Sequence, residues 1–102
     1  MKVGYARVST KAQQESLTTQ RETLQADGCQ RVFEDTASGV KSDRPGLAAA
    51  IDYLREGDIL VVTRIDRLGR SMLDALKTLM DLDARGIRVQ AQDVGLDTGT
   101  AM

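Results

Sequence analysis

Histidine and tryptophan are missing from this chain, and cysteine, proline and phenylalanine occur once each. Without histidine there is no imidazole to act as general base or to ligate zinc, so Ser-His-Asp triads, Cys-His nucleophile pairs and zinc sites are excluded. The lone Cys29 cannot close an intrachain disulfide; after Gly28, at the head of an apolar run, it reads as a small core residue. Apolar runs such as Ile59-Leu60-Val61-Val62 fall far short of a bilayer, and Met1-Lys2-Val3-Gly4 opens a strand rather than a secretion signal, so the expected compartment is the cytoplasm with no membrane partner. Excess positive charge is also lacking. With 14 basic and 15 acidic residues the net charge is −1, so any contact with nucleic acid must come from a local basic patch. Neither a P-loop nor a GxGxxG follows any strand, which leaves a nucleotide cofactor without support.

What is present suits one globular domain. The 102 residues have room for a modest core but not for a second folded unit, and 41% hydrophobic with 28% charged residues argues against disorder. Lys2 to Val8 is β-rich, and a polar stretch leads into a helix over 16–27, where Leu17 and Leu24 share a face and Gly28 stops it. Val32-Phe33 predicts a second, short strand, followed by a loop from Asp35 to Asp43. Pro45 suits a helix start, with Leu47, Ile51 and Leu54 on one face and Gly57 as terminator. Asp58 to Thr63 is the most buried strand candidate. A helix over 71–85 follows, with a capping box from Ser71 and Asp74, an apolar stripe of Met72, Leu76, Leu79 and Leu82, and Gly86 at its end. Ile87, Val89 and Ala91 alternate with polar residues as in a half-buried edge strand, and the tail from Gly95 reads as an unfinished connection.

Strands alternating with helices predict a parallel α/β sheet with helices on both faces, and in such sheets function gathers at the carboxyl ends of the strands. Arg7 and Ser9 end the first strand, Asp35 the second, Arg64 to Arg70 follow the third, and Asp93 follows the fourth. A serine beside Arg64, Arg67 and Arg70 suits phosphoryl transfer. The transition state spreads negative charge over nonbridging oxygens, which planar guanidinium groups bind in pairs. The same positive charge favours the serine alkoxide, with Asp66 or a substrate oxygen as the two candidates to take its proton. Asp35, Asp66 and Asp93 are a conceivable Mg²⁺ set, but the arginines beside them favour charge neutralisation by protein, so no metal or cofactor is expected. Blander readings exist for single residues. Thr10 and Gln13 have capping-box spacing, Asp66 and Arg70 are placed for a surface ion pair, and Gln13 and Gln20 taken alone are ordinary helix-surface residues.

Six segments recur together in one known pattern: Tyr5-Ala6-Arg7-Val8-Ser9-Thr10, Phe33-Glu34-Asp35, Ala37-Ser38-Gly39, Asp43-Arg44-Pro45-Gly46-Leu47, Gly57-Asp58 and Asp66-Arg67-Leu68-Gly69-Arg70-Ser71. In order and spacing they resemble the catalytic domain of the serine recombinases, the resolvase and DNA-invertase family. The resemblance runs over the whole chain. It implies a parallel-sheet, three-layer resolvase-like α/β domain over 1–102, truncated before the long C-terminal interface helix and the helix-turn-helix DNA-binding domain that members normally carry. By the same resemblance Ser9 is the nucleophile, forming a 5′-phosphoserine link to DNA and releasing a 3′ hydroxyl. Arg7, Arg44, Arg67 and Arg70 would bind the scissile phosphate, and Gln13, Gln20, Asp35 and Asp66 would support the site. The implied partner is double-stranded DNA, with a homodimer or homotetramer in the full-length protein and a monomeric or weakly associating fragment. Two departures stand out: Tyr53 occupies a position that is basic in many members, and the stretch between Ser9 and Gln20 is longer than in compact ones. Two other readings compete, a noncatalytic regulatory or interaction module that keeps the fold, and a metal-dependent nuclease using the aspartates.

Overall fold

The computed structural model describes residues 1–9, 17–37, 45–64, 68, 71–93 and 95–97. They form five strands and three helices in the order β1 (Lys2–Ser9), α1 (Leu17–Ala26), β2 (Arg31–Ala37), α2 (Pro45–Tyr53), β3 (Ile59–Val62), α3 (Met72–Ala84), β4 (Arg88–Ala91) and β5 (Leu96–Asp97). The sheet order is β2-β1-β3-β4-β5, with the first four strands parallel and β5 antiparallel to β4.

Side chains on alternate β1 residues feed two different cores, because successive residues of a strand face opposite ways. Val3 and Tyr5 join Leu47 and Leu54 of the α2 region, Ala75 and Leu82 of α3, and Leu60, Val62 and Val89 of the sheet. Ala6 and Val61 face the other way, onto Leu24 of α1 and Cys29. The molecule is therefore three-layered, with α1 on one face and α2 with α3 on the other. Gly4 sits under α1 for want of space: a Cβ there would lie 3.0 Å from the Leu24 side chain and 3.2 Å from Cys29 Sγ. Central β3 is the most apolar strand, and Leu60, Val61 and Val62 are all completely buried, each stabilising the fold by about 1.5–3 kcal/mol.

Several expected elements need correction. β2 is not a short strand ending before Asp35; it continues to Ala37, because β1 offers a backbone partner at every step from Val3↔Arg31 to Ser9↔Ala37 and pairing outweighs its polar composition. Its last residues belong to no loop. β4 is not an edge strand, since Ala91↔Leu96 and Gln90↔Asp97 pair it with β5, so part of the tail is structured. Helix α3 begins at its expected cap: Ser71 accepts a hydrogen bond from the Asp74 amide at 3.1 Å. Its buried face, however, runs through Ala75 and Leu82 with Leu79 partly covered, while Met72 and Leu76 are exposed, as are Leu73 and Met80. The apolar stripe is thus wider than the face that α3 turns inward.

Candidate active site

In the order β2-β1-β3-β4 the chain leaves β1 for β2 on one side, by way of α1, and leaves β3 for β4 on the other, by way of α3. The carboxyl ends of β1 and β3 therefore flank the point where the winding reverses, which is where open α/β sheets form a crevice. Arg7 and Ser9 lie at the end of β1, and Arg64 follows β3. Ser9 is in register with Ala37, at the last step of the β1–β2 ladder. Gln13, Arg44, Asp66, Arg67 and Arg70 lie outside the described residues, as does Thr10. Two residues close to them in sequence are described. Leu68, in the middle of the Asp66–Arg70 sequence, is fully buried in the core cluster of Tyr5 and Val62. Pro45, next to Arg44, opens α2.

Gln20 and Asp35, the two expected supporting residues whose side chains are described, both bind backbone. In β1 the odd residues turn their amide and carbonyl toward β3, as Met1 does in accepting from Ile59 at 2.9 Å, and β3 stops pairing with β1 at Tyr5. Arg7, two residues further on, meets Gln20 instead. Its amide donates to Gln20 Oε1 at 3.1 Å and its carbonyl accepts from Gln20 Nε2 at 3.0 Å. A side-chain amide thus takes the place of another strand residue, and being fully buried it has to be satisfied in this way. Arg7 itself is half-buried and shares the strand face of Val3 and Tyr5.

Asp35, only 7% exposed, accepts three hydrogen bonds. Its Oδ1 takes the Gly46 amide at 2.7 Å, and its Oδ2 takes the Leu47 amide at 2.9 Å and the Tyr5 hydroxyl at 2.7 Å. Both carboxylate oxygens of this buried side chain are thus hydrogen-bonded. At the far end of α2, the Arg31 guanidinium lies over the tilted pair of Phe33 and Tyr53, 4.8 and 4.9 Å from the ring centroids, which are themselves 5.7 Å apart. Tyr53 is thus a packing element between α2 and β2.

Sequence reasoning missed three residues. Tyr5 carries no role in the sequence reading beyond its place in the first motif, although a tyrosine in a buried strand signals that its hydroxyl needs a partner. Gly46 sits where a Cβ would run into the Glu34 carbonyl oxygen, a contact invisible before α2 is docked. Leu68 could have been found, as an apolar residue isolated among Asp, Arg and Gly. Asp93 is exposed beyond β4, its amide donating to the Thr63 carbonyl at 3.0 Å. Among the described residues no group of three or more acidic or thiol side chains is placed to hold a metal ion, and no helix is long and apolar enough to cross a membrane.

Fold and site together define a doubly wound α/β domain with a serine at the switch point and an arginine-rich segment after the adjacent strand. The model of the resolvase N-terminal domain matches residues 2–102. The chain is 49% identical over 87 residues to the transposon Tn552 DNA-invertase BinR of Staphylococcus aureus, covering 85% of this chain and 44% of that protein. It is 45% identical over 102 residues to the DNA-invertase of Escherichia phage P1, covering all of this chain and 54% of the other. The fold superposes on a resolvase family site-specific recombinase from Streptococcus pneumoniae with a TM-score of 0.76 and 24% identity, covering 99% of this chain and 78% of that one. The chain belongs to the serine recombinase family, as a resolvase-type N-terminal domain. It spans about half the length of the curated relatives it matches.

Proposed function

We propose that this chain is the catalytic core of a site-specific DNA recombinase. The observation that carries the reading is the placement of Ser9 at the carboxyl end of β1, across the switch point from β3, the strand that the arginine-rich sequence around the buried Leu68 follows. Ser9 Oγ gives up its proton and attacks a DNA phosphodiester, a P–O bond forms to serine as the bond to the 3′ oxygen breaks, and the departing 3′ oxygen takes up a proton, so that none is gained or lost overall. Arg7, Arg44, Arg67 and Arg70 neutralise the charge that builds on the nonbridging oxygens. Gln20 and Asp35 act through the backbone they hold, and Gln13 and Asp66 complete the supporting set. Because the phosphoserine link conserves the phosphodiester's energy, a 3′ hydroxyl can attack it in turn and reseal a strand with no nucleotide cofactor. The substrate is double-stranded DNA. The names of the relatives, DNA-invertases and resolvases, support strand exchange as the outcome, carried out by a homodimer or homotetramer of the whole protein. In this reading residues 1–102 are the catalytic unit, and base recognition belongs to further sequence of the kind the relatives carry.

The test is to join residues 1–102 to the C-terminal part of the phage P1 DNA-invertase and incubate the fusion with that enzyme's DNA site in EDTA. A denaturant-stable protein–DNA adduct that maps to Ser9 and vanishes in Ser9→Ala is the expected result. A fusion that binds the site yet forms no adduct, or an adduct that survives Ser9→Ala, overturns the proposal.

A further inference from the structure

We infer that Arg64 and Asp93 set the path of the DNA backbone over the crevice: Arg64 holds a phosphate flanking the scissile one, and Asp93 bars the backbone from crossing β4. The inference rests on the recombinase reading above, whose arginine roles leave Arg64 without one. It follows from where the sheet parts. β1 and β3 pair from Lys2↔Ile59 to Tyr5↔Val62 and no further. Past that step the two strands take different partners. On one bank β1 continues along β2 to Ser9↔Ala37, and the Arg7 amide and carbonyl on the side of β3 go to Gln20. On the other bank the chain leaving β3 stays with β4, as the Gln92 amide donates to the Val62 carbonyl and the Asp93 amide to the Thr63 carbonyl, each at 3.0 Å. The Thr63 carbonyl belongs to the planar peptide unit that joins Thr63 to Arg64, so this bond fixes the backbone at Arg64 to β4. Thr63 is only 6% exposed, whereas the Arg64 side chain stands in solvent.

A cation on this bank does different work from one on the other. Arg7 is half-buried, where a charge is weakly screened and can answer negative charge as it develops. Arg64 is in water, so it attracts a phosphate equally before and during the reaction, chiefly by displacing counterions condensed on DNA. An interaction equal in the ground and transition states raises affinity and leaves the chemical step alone. Arg64 is accordingly a binding residue. The chain has need of one, since at a net charge of −1 its hold on a polyanion comes from individually placed cations. Asp93 supplies the boundary. It lies two residues beyond the Val62↔Ala91 pair, as Arg64 does, which makes the two cross-strand neighbours by register, and its carboxylate is exposed. A carboxylate set against a phosphate is repulsive, so the backbone that meets Arg64 runs over β1 and β3 and not outward over β4.

The experiment measures binding of the fusion described above, in its Ser9→Ala form, to the phage P1 DNA-invertase's site between about 50 and 200 mM salt. Arg64→Ala is expected to reduce the slope of log K against log salt by about one, so that its penalty in Kd shrinks roughly threefold over that range. Arg64→Lys should restore the slope, because charge rather than paired geometry counts at an exposed site. Asp93→Asn should tighten binding by about twofold. Arg55→Ala, the same loss of charge just before β3 at the opposite end of the sheet, should leave the slope unchanged. All three side chains are exposed, so none of these changes threatens the fold. With Ser9 restored, Arg64→Ala should form the adduct at saturating DNA within about threefold of the parent rate. An unchanged slope in Arg64→Ala, an equal loss in Arg55→Ala, binding that Asp93→Asn fails to tighten, or a larger rate loss at saturating DNA overturns the inference. An adduct that survives Ser9→Ala overturns the recombinase reading instead, and the binding results then decide the DNA path by themselves.

Discussion

Replacing Gln20 with methionine keeps the length and volume of the side chain and deletes both hydrogen bonds to Arg7. Gln20 is completely buried, so water cannot take over at its amide, and the Arg7 N–H and C=O that it served at 3.1 and 3.0 Å lose their partner. Each orphaned backbone group costs about 1–3 kcal/mol, offset by about 1 kcal/mol from burying a thioether rather than an amide, so the net loss is about 3 kcal/mol. For a domain of this size that lowers Tm by roughly 10–20 °C. Urea unfolding followed by circular dichroism should show an earlier midpoint at unchanged slope. Gln20→Glu sharpens the test. Its carboxylate would face the Arg7 carbonyl, an arrangement that only the protonated acid satisfies, so burial and that carbonyl raise its folded pKa above the unfolded value. Stability from the protonated form is then present at low pH and is lost as pH rises through the folded pKa, making the variant more stable near pH 4 than near pH 8 relative to the parent. A loss below about 1 kcal/mol in Gln20→Met would refute the reasoning, because it would mean that β1 satisfies Arg7 without α1.

Other expectations follow from single contacts. Gly46→Ala places a methyl group against the Glu34 carbonyl and should destabilise by about 3 kcal/mol or more, and a urea midpoint equal to the parent's would show that α2 lifts off β2 freely. Burial, helped by the charge of Asp27, pushes the Cys29 thiol up to about 11 from 9.0. The unfolded chain therefore releases a proton that the folded chain keeps between about pH 9 and pH 11, and stability falls across that window. Cys29→Ala should flatten the alkaline decline of Tm, and an unaltered slope counts against the assignment. Ser71→Ala removes the α3 cap and should cost about 1 kcal/mol in urea unfolding, with no loss if another group captures the Asp74 amide.

The sequence made β1, α1, α2, β3 and α3 legible because in each a run of apolar residues at strand or helix spacing coincides with a local punctuation mark. Ser71 and Pro45 sit at helix starts, and Gly28 and Gly86 follow helix ends with φ of 96° and 79°. It did not reveal the full β2 or β5, whose existence depends on a partner strand distant in the chain. The α3 stripe misled for a related reason: periodicity shows that Met72 and Leu76 share a helical face with buried neighbours, but not how far the sheet extends beneath it. Of the candidate site, the motif residues were readable one by one, and Arg7, Ser9 and Asp35 do lie at or near the carboxyl ends of adjacent strands. What Gln20 and Asp35 bind was not readable, since both reach backbone atoms more than ten residues away.

The Gln20–Arg7 pair also governs which changes of length this architecture tolerates. Helix α1 is locked in rotational phase by Gln20 at one end and, a turn further on, by Leu24, whose carbonyl accepts from the Cys29 amide at 3.1 Å. One residue inserted between Gln20 and Cys29 would turn everything beyond it by about 100°, separating one contact or the other. The stretch from Gln20 to Cys29 must therefore keep its count if the arginine two positions before the serine is to keep the side chain that holds its backbone.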